Sequence, residues 1–80
     1  ATKAQQSRRY RPIPELLRAL REEAGLTQRA LGEALRKPQS WIYNSETSNR
    51  RVDVAEFCDW CTACKVDPAA AIRRFYKSPG

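Results

Sequence analysis

Three evenly spaced cysteines are the residues of this sequence best suited to chemistry: Cys58, Cys61 and Cys64. Their spacing matches the first three ligands of a bacterial ferredoxin cluster, whose fourth cysteine would fall at residue 68. Residue 68 is a proline, and the chain has no histidine to complete a four-ligand zinc site. Small buried thiols also behave as ordinary hydrophobic side chains. The pattern therefore favours core packing, with redox or metal sensing as the alternative, and no cofactor is expected.

Catalytic patterns are missing from the sequence. It contains no histidine, no phosphate-binding glycine loop and no nucleophile spaced to pair with a base, so we do not expect an enzyme. Three neighbouring cysteines are not the framework of a secreted disulfide-rich protein. The apolar runs are too short to cross a bilayer, and the first residues lack the apolar stretch of a secretory signal. We expect a cytoplasmic protein with no membrane partner.

The excess positive charge is concentrated in two parts of the chain. The net charge is +6, of which residues 1–14 contribute +4 and residues 27–51 contribute +3. Residues 15–26 are slightly acidic, and the charges after residue 51 balance. This distribution is typical of a protein that binds a polyanion, although mildly basic surfaces also occur on domains with no such partner.

Helix signals divide most of the chain into five short helices. Apolar residues recur at helical spacing between Pro14 and Gly25, which is expected to end the first helix. Thr27 is an N-cap candidate for a second helix, and Pro38 separates it from a third helix that runs to about Thr47. The spacing of these helices is that of a helix-turn-helix.

The last two helices are predicted from an apolar stripe and from their caps. Asp53 is an N-cap candidate, and the stripe that follows contains Val54, Phe57 and the three cysteines. Asp67 and Pro68 are expected to open a fifth helix. The sequence thus predicts an all-α domain of residues 13–78 behind a flexible basic arm of residues 1–12.

A motif that extends over most of this domain resembles a known family. It consists of Arg21-x-x-x-Gly25-Leu26-Thr27-Gln28-x-x-Leu31-x-x-x-Leu35, then Pro38-Gln39-Ser40-x-Ile42-x-x-x-Glu46, and finally Arg50-Arg51-Val52-Asp53. The whole string, in this register, resembles the phage-repressor family of helix-turn-helix proteins, of the Xre, Cro and CI types. The resemblance covers roughly residues 16–76. It implies a compact five-helix, lambda-repressor-like domain that binds double-stranded DNA.

The resemblance assigns base reading to the third helix. Gln39, Ser40 and Asn44 would face base edges in the major groove, where side-chain amides are suited to pair with adenine. Tyr43 lies on the side of this helix away from Ile42, so a groove or phosphate contact is expected for Tyr43 and a core position for Ile42. The alternative for the polar residues is a solvated helix face.

Affinity is expected to come from the DNA backbone. Gln28 would bind a phosphate together with the first amides of the second helix. Arg50 and Arg51 would contact phosphates from the following loop, with Lys37 in the turn as a further candidate. Trp41 would either contact the sugar-phosphate edge or thymine methyls, or cover the core at the helix junction.

The resemblance also bears on the internal geometry. It implies a partly buried ion pair between Arg21 and Glu46, which would tie the first helix to the end of the third. Ser45 stands where the family has a bulky apolar residue, so the core is under-filled there unless a neighbour compensates. Ser48 replaces a glycine, and its backbone either avoids the left-handed region or adopts it with strain. The conformation of residues 47–51 is therefore not predicted.

The resemblance implies a small transcriptional regulator, a repressor bound as a homodimer to a pseudo-palindromic operator in a bacterial or phage setting, at the nucleoid. The C-terminal segment with Ile72, Phe75 or Tyr76 is the expected dimer surface. The basic arm is either a solvated tail or a further DNA contact. Two other functions fit the sequence: an antitoxin with a toxin partner, and a protein-interaction adaptor that has lost DNA reading.

Overall fold

The computed structural model describes residues 9–77, which form five helices and contain no strand. The helices are α1 (Pro12–Glu23), α2 (Gln28–Leu35), α3 (Gln39–Glu46), α4 (Val54–Ala63) and α5 (Pro68–Lys77). The predicted all-α, five-helix fold is confirmed. No helix within residues 9–77 has both the length and the apolar character needed to cross a bilayer.

Side-chain caps mark the start of α2, α4 and α5. At α5, Asp67 Oδ1 accepts a hydrogen bond from the Ala69 amide at 3.4 Å, as the sequence predicted. Thr27 Oγ1 accepts a hydrogen bond from the Ala30 amide at 3.0 Å, which confirms Thr27 as the N-cap of α2. At α4, Asp53 Oδ1 accepts from the Glu56 amide at 2.7 Å, and Glu56 Oε1 accepts from the Asp53 amide at 3.0 Å. This reciprocal capping box holds the first turn of α4 against the preceding loop.

A left-handed residue ends or directly follows four of the helices, α1 to α4. Gly25, with φ +75°, ends α1 as predicted. Arg36 and Lys65, with φ of 58° and 60°, take the same role after α2 and α4. Ser48 has φ 67°, so of the two conformations open to it the strained one is present. Each such non-glycine residue costs roughly 1–2 kcal/mol of conformational energy.

The core lies where α1, α2, α3 and α4 meet. Its fully buried large side chains are Leu17, Leu20, Leu31, Ile42 and Trp60. The Trp60 indole N–H donates to the Leu17 carbonyl oxygen at 3.0 Å, so this ring is buried with its one polar atom satisfied. Each of these side chains contributes about 1.5–3 kcal/mol through burial.

The predicted stripe on α4 is wrong at its first position. Val54 is 80% exposed, whereas Trp60, which the prediction omitted, is fully buried. The core face of α4 consists of Phe57, Trp60, Cys61 and Cys64. Val54 is the first residue of α4, so it is exposed at the end of the helix although its spacing places it on the same side as Phe57 and Cys61.

The core-packing interpretation is confirmed for two of the three cysteines. Cys61 and Cys64 are buried, and Cys58 is half-buried. Burial raises the pKa of the Cys61 thiol to about 11 and also raises the pKa of Cys64. Both core thiols are therefore protonated and unreactive at neutral pH. Within residues 9–77 no group of three possible metal ligands is close together.

Tyr10 does not belong to a flexible arm. Its side chain is 7% exposed, and its hydroxyl accepts a hydrogen bond from the Val52 amide at 2.9 Å. Helix α1 then begins at Pro12, inside the predicted arm. The arm boundary expected after residue 12 is therefore too late by several residues. Residues 1–8, with most of the arm, lie outside the described part of the chain.

Candidate nucleic-acid interface

Helices α2 and α3 form a tight helix-turn-helix. A Cβ atom added at Gly32 would lie 2.7 Å from the Lys37 carbonyl oxygen, so α2 and the turn approach closer than any side chain allows. Ile42 is fully buried and anchors α3 to the core, as predicted. The opposite side of α3 presents Gln39, Ser40 and Tyr43 to solvent.

A chain of hydrogen bonds runs from the interior to this exposed face. Arg21 binds Glu46 with two hydrogen bonds, from Nε to Oε2 at 2.6 Å and from Nη2 to Oε1 at 3.1 Å. Gln28 Nε2 donates to Glu46 Oε1 at 3.1 Å. Gln39 Nε2 then donates to Gln28 Oε1 at 3.3 Å. The Arg21–Glu46 ion pair therefore sits at the inner end of a network that orients Gln39.

Desolvation makes this network sensitive to the loss of any member. The Glu46 side chain is 2% exposed and that of Arg21 is 11% exposed. Its hydrogen bond to Glu46 raises the pKa of the Arg21 guanidinium, which stays charged at all accessible pH values. Arg21 Nη1 also donates to the Leu26 carbonyl oxygen at 2.8 Å. Removing either charge would leave the other buried without its partner.

Asn44 lies at the edge of the exposed face and is half-buried. Its side-chain Oδ1 accepts a long hydrogen bond of 3.5 Å from Asn49 Nδ2. Its carbonyl oxygen accepts from the amides of Asn49 and Arg50 at 3.0 and 3.3 Å. Asn44 therefore both borders the solvent and fastens the loop that follows α3.

The Arg50 side chain contacts partners within the protein. Its guanidinium lies 4.2 Å from the centre of the Trp41 ring and donates to Ser45 Oγ and to both carboxylate oxygens of Glu56. These partners belong to α3 and α4, and they occupy a side chain that was expected to bind phosphate. Arg51, in contrast, is exposed, with its guanidinium 4.4 Å from the centre of the Tyr10 ring.

The other residues that the sequence predicted to contact DNA phosphates are exposed or half-buried. Lys37 is exposed, with its ammonium 5.3 Å from the Trp41 ring centre. Gln28 is half-buried at the first position of α2, where free amides point outward. Hydrogen-bond donors and positive charge therefore lie before and after α3 in the chain, at Gln28, Lys37 and Arg51.

Trp41 packs onto the core at the helix junction. It is half-buried, and its ring centre is 6.2 Å from that of Trp60. Of the two roles open to it, covering the core is the one that its contacts show. Trp41 and Arg50 also fill the space beside Ser45, which is itself fully buried and donates to the Trp41 carbonyl oxygen at 2.8 Å.

The sequence did not predict that Glu56 and Tyr10 contribute contacts to this region. Glu56 is a capping-box acid of α4, and the spacing Asp53-x-x-Glu56 could have identified it. Its bond to Arg50 has no such signal, because the two residues lie on different elements. Tyr10 had no local signal at all, since the residue that it contacts is 42 positions away.

Comparisons with known proteins agree with this geometry. A family model described as a helix-turn-helix domain matches residues 15–74. A solved structure, an XRE-family like protein from Pseudomonas syringae pv. tomato str. DC3000, is 38% identical with a TM-score of 0.79. The alignment covers 85% of this chain and 83% of that chain. No curated protein matches the sequence at a significant level.

Proposed function

Because the chain belongs to the XRE-type helix-turn-helix family, whose fold points to a non-enzymatic, DNA-binding transcription regulator, we propose that it is a repressor. It would bind a pseudo-palindromic operator as a homodimer. The observation that carries the proposal is the exposed polar face of α3, held by buried Ile42 below it and by the hydrogen-bond chain that ends at Gln39.

Gln39, Ser40 and Tyr43 would contact base edges in the major groove, and Asn44 would do so from the border of the same face. The bond from Gln39 to Gln28 uses one of the two hydrogens on Nε2. The second hydrogen and Oε1 remain for a bidentate contact, which is the arrangement that pairs with adenine N7 and N6. A site with an A·T pair opposite Gln39 follows from this chemistry.

Phosphate contacts would come from Gln28, Lys37 and Arg51, and from the outer edge of Trp41. Arg51 is the best placed of the cations, because it follows α3 closely and is exposed. Each such contact would supply affinity that falls as salt concentration rises, with little dependence on sequence.

The dimer surface would be an apolar groove beside this interface. The groove has a volume of about 600 Å³, and Ile13, Val52, Phe57, Ile72 and Phe75 are among its lining residues. Val54 at its edge and Tyr76, one turn beyond Ile72, are 80% and 76% exposed. In a two-fold symmetric dimer, the same surface of each subunit packs against its copy. This face has both a groove and protruding apolar side chains, so two copies of it would be complementary.

The loop residues Arg50 and Arg51 also line the groove. A dimer formed through the groove would therefore bring the two α3 helices close together.

The decisive experiment is selection of binding sites from random duplexes by the parent protein, by Gln39→Ala and by Asn44→Ala. The parent should enrich a two-fold symmetric site, and each variant should lose preference at one position of each half-site. The loss for Gln39→Ala should be about tenfold, as for one bidentate contact. Thr62→Ala, an exposed position on α4, is the control and should keep the parent preference. Unchanged preference in both α3 variants would remove the assignment of base contacts.

A further inference from the structure

We infer that Arg50 is a positioning residue for DNA binding, held by Glu56, and that it does not act as a phosphate ligand. The inference rests on the proposed DNA-binding function and specifies how the loop after α3 serves it. It begins from the partners of the Arg50 guanidinium, which lie on both helices that flank the loop.

The guanidinium joins α3 to α4. Nη1 donates to Ser45 Oγ at 3.1 Å, and Nη2 lies 3.2 and 3.1 Å from the two carboxylate oxygens of Glu56. Its central carbon lies over the Trp41 ring, 4.2 Å from the ring centre. The side chains of Arg50 and Glu56 are each 27% exposed, so this pair is better shielded from water than an ordinary surface ion pair.

Glu56 has two functions at once. Its Oε1 accepts from the Asp53 amide and thereby closes the capping box of α4, while both of its oxygens accept from Arg50. The first turn of α4 and the end of α3 are thus held through one carboxylate. Residues 47–53 lie between these two points, and Arg51 is carried by that segment.

Ser45 explains why an arginine fits here. A bulky side chain at this fully buried position would occupy space next to Trp41 and remove the hydroxyl that accepts from Arg50. With serine, the flat guanidinium lies on Trp41 and replaces the missing apolar contact. A lysine would keep the charge but would lose the planar stack and the forked hydrogen bonds. The arrangement therefore selects the guanidinium shape as well as its charge.

This difference between shape and charge separates the two possible roles. If Arg50 is a phosphate ligand, it needs only its positive charge, so Arg50→Lys would largely retain affinity. Arg50→Gln would make the plot of log K against log salt concentration less steep, by about 0.9 for the lost contact. A positioning residue needs its geometry. Arg50→Lys would then weaken binding as much as Arg50→Gln, and the two variants would share one salt slope, because both release the segment that carries Arg51.

Glu56 offers a test in which electrostatics and positioning predict opposite signs. Removing an acid close to DNA should raise affinity if only charge matters, because one repulsion is lost. If Glu56 holds Arg50, Glu56→Gln should lower affinity although the protein becomes more basic. Asp59→Asn neutralises an exposed acid on the same helix and is the matched control. It should leave affinity unchanged or raise it slightly.

The experiment measures binding of the parent and these four variants to the duplex selected by the parent, at several salt concentrations. Thermal unfolding of each protein fixes a temperature at which all are folded. We expect about tenfold weaker binding for Arg50→Lys, Arg50→Gln and Glu56→Gln, with one salt slope shared by all three. Without DNA, the fluorescence emission of Trp41 should also change in all three variants, because the guanidinium no longer lies over the ring. The variant Trp41→Phe separates the fluorescence of Trp41 from that of Trp60.

Full affinity of Arg50→Lys, together with a reduced slope for Arg50→Gln, would overturn the inference and make Arg50 a phosphate ligand. Tighter binding by Glu56→Gln would also overturn it. A parent protein that binds no duplex in a salt-dependent way would refute the proposed function itself, which is a separate result from either of these.

Discussion

At the scale of single residues, Ser48 combines an unfavourable backbone conformation with a position next to the binding surface. Its φ of 67° lies in the region that side chains with a Cβ atom avoid. The hydrogen bond from the Asn49 amide to the Asn44 carbonyl oxygen requires this turn at the end of α3. The hydrogen bonding of the loop therefore determines the conformation of Ser48, against the intrinsic preference of serine.

Ser48→Gly should raise the free energy of unfolding by about 0.5–1 kcal/mol, because relief of the left-handed strain exceeds the entropy that glycine gains in the unfolded chain. Gly25→Ala is the reverse case. Gly25 has φ +75°, and no atom lies within 4 Å of a Cβ added there. Gly25→Ala should therefore lower the free energy of unfolding by about 1 kcal/mol through backbone strain alone. Chemical denaturation of both variants measures the two values, and a destabilised Ser48→Gly would contradict this account.

The thiols make a second prediction at this scale. Cys58 should react first with a disulfide reagent in the native protein, while Cys61 and Cys64 should react only when denaturant is added. Cys58→Ser is the control and should remove the early reaction. Rapid labelling that persists in this variant would contradict the burial of the other two.

The raised pKa of Cys61 also has a consequence for stability at high pH. The unfolded thiol ionises near 9.0 and the folded one only near 11, so the unfolded state releases its proton first. The contribution of this group is therefore intact below about pH 9 and decreases as the pH rises towards 11. Thermal unfolding under reducing conditions across this range should show a steeper decrease for the parent than for Cys61→Ala.

Single-residue roles were predictable where sequence neighbours determine them. Gly25, Thr27 and Ile42 could be assigned from caps and spacing alone. Arg50 and Arg51 are adjacent and identical in type, yet one stacks on Trp41 and the other is exposed. That difference depends on where Glu56 and Ser45 lie in space, which no local pattern contains.

At the scale of elements, the relation between α2 and α3 depends on Gly32. The Lys37 amide donates to the Gly32 carbonyl oxygen at 2.8 Å. The Lys37 carbonyl oxygen lies 2.7 Å from the position that a Cβ atom on residue 32 would take. The turn is thus folded directly onto α2. A change at Gly32 acts on the angle between the two helices through backbone contacts, without replacing any exposed side chain.

Gly32→Ala should destabilise the protein by about 1–3 kcal/mol, since backbone has to move to admit the methyl group. It should also weaken duplex binding more than stability alone explains, because α3 is displaced while remaining folded. Denaturation and binding below the unfolding temperature provide the two measurements. Ala34→Gly, on the exposed side of α2, is the control for a general loss of helix stability. Normal affinity in Gly32→Ala would contradict a role for this contact.

Helix α4 shows the limit of periodicity as a guide. Phe57 is followed by apolar residues at both i+1 and i+3, so a stripe through Cys58 and one through Trp60 fit the sequence equally well. The structure buries Trp60 fully and leaves Cys58 half-buried. The large indole fills the space between α1 and α3, and this choice depends on the volume available there, which the pattern does not specify.

At the scale of the whole molecule, the apolar groove and its exposed neighbours distinguish this face from the rest of the described surface. Tyr43, Val54, Ile72 and Tyr76 are the exposed large hydrophobic residues within 9–77. Three of the four lie at or next to the groove, and Tyr43 is on α3. Exposed apolar side chains gathered on one face are typical of protein interfaces.

Val54→Lys combined with Ile72→Lys should convert the proposed dimer into a monomer and weaken binding to a two-fold symmetric duplex more than to a single half-site. Thr62→Lys adds charge outside the groove and should leave both properties unchanged. Sedimentation measures the mass, and titration with the two duplexes measures the binding. A parent protein that is monomeric at all concentrations would exclude the dimer.

The five-helix architecture could be predicted because caps and apolar spacing are local. The packing of Tyr10 against the domain could not be predicted in this way. Tyr10 lies in a polar, basic stretch, and its partners Arg51 and Val52 become neighbours only when the fold is complete. A test of the basic arm should therefore remove residues 1–8 and retain Tyr10, since a longer deletion would also expose Val52 and confuse lost DNA contacts with lost stability.

The bond between Trp60 and Leu17 has a consequence for how the chain acquires its structure. It spans 43 residues, and the helix-turn-helix lies wholly between its two ends. During synthesis, α1, α2 and α3 are made before the indole that covers them emerges from the ribosome. A fragment that stops at residue 53 would expose Leu17 and Leu20 to water and would not fold stably. The DNA-binding unit is thus inseparable from α4, and its core is completed only after α4 has been synthesised.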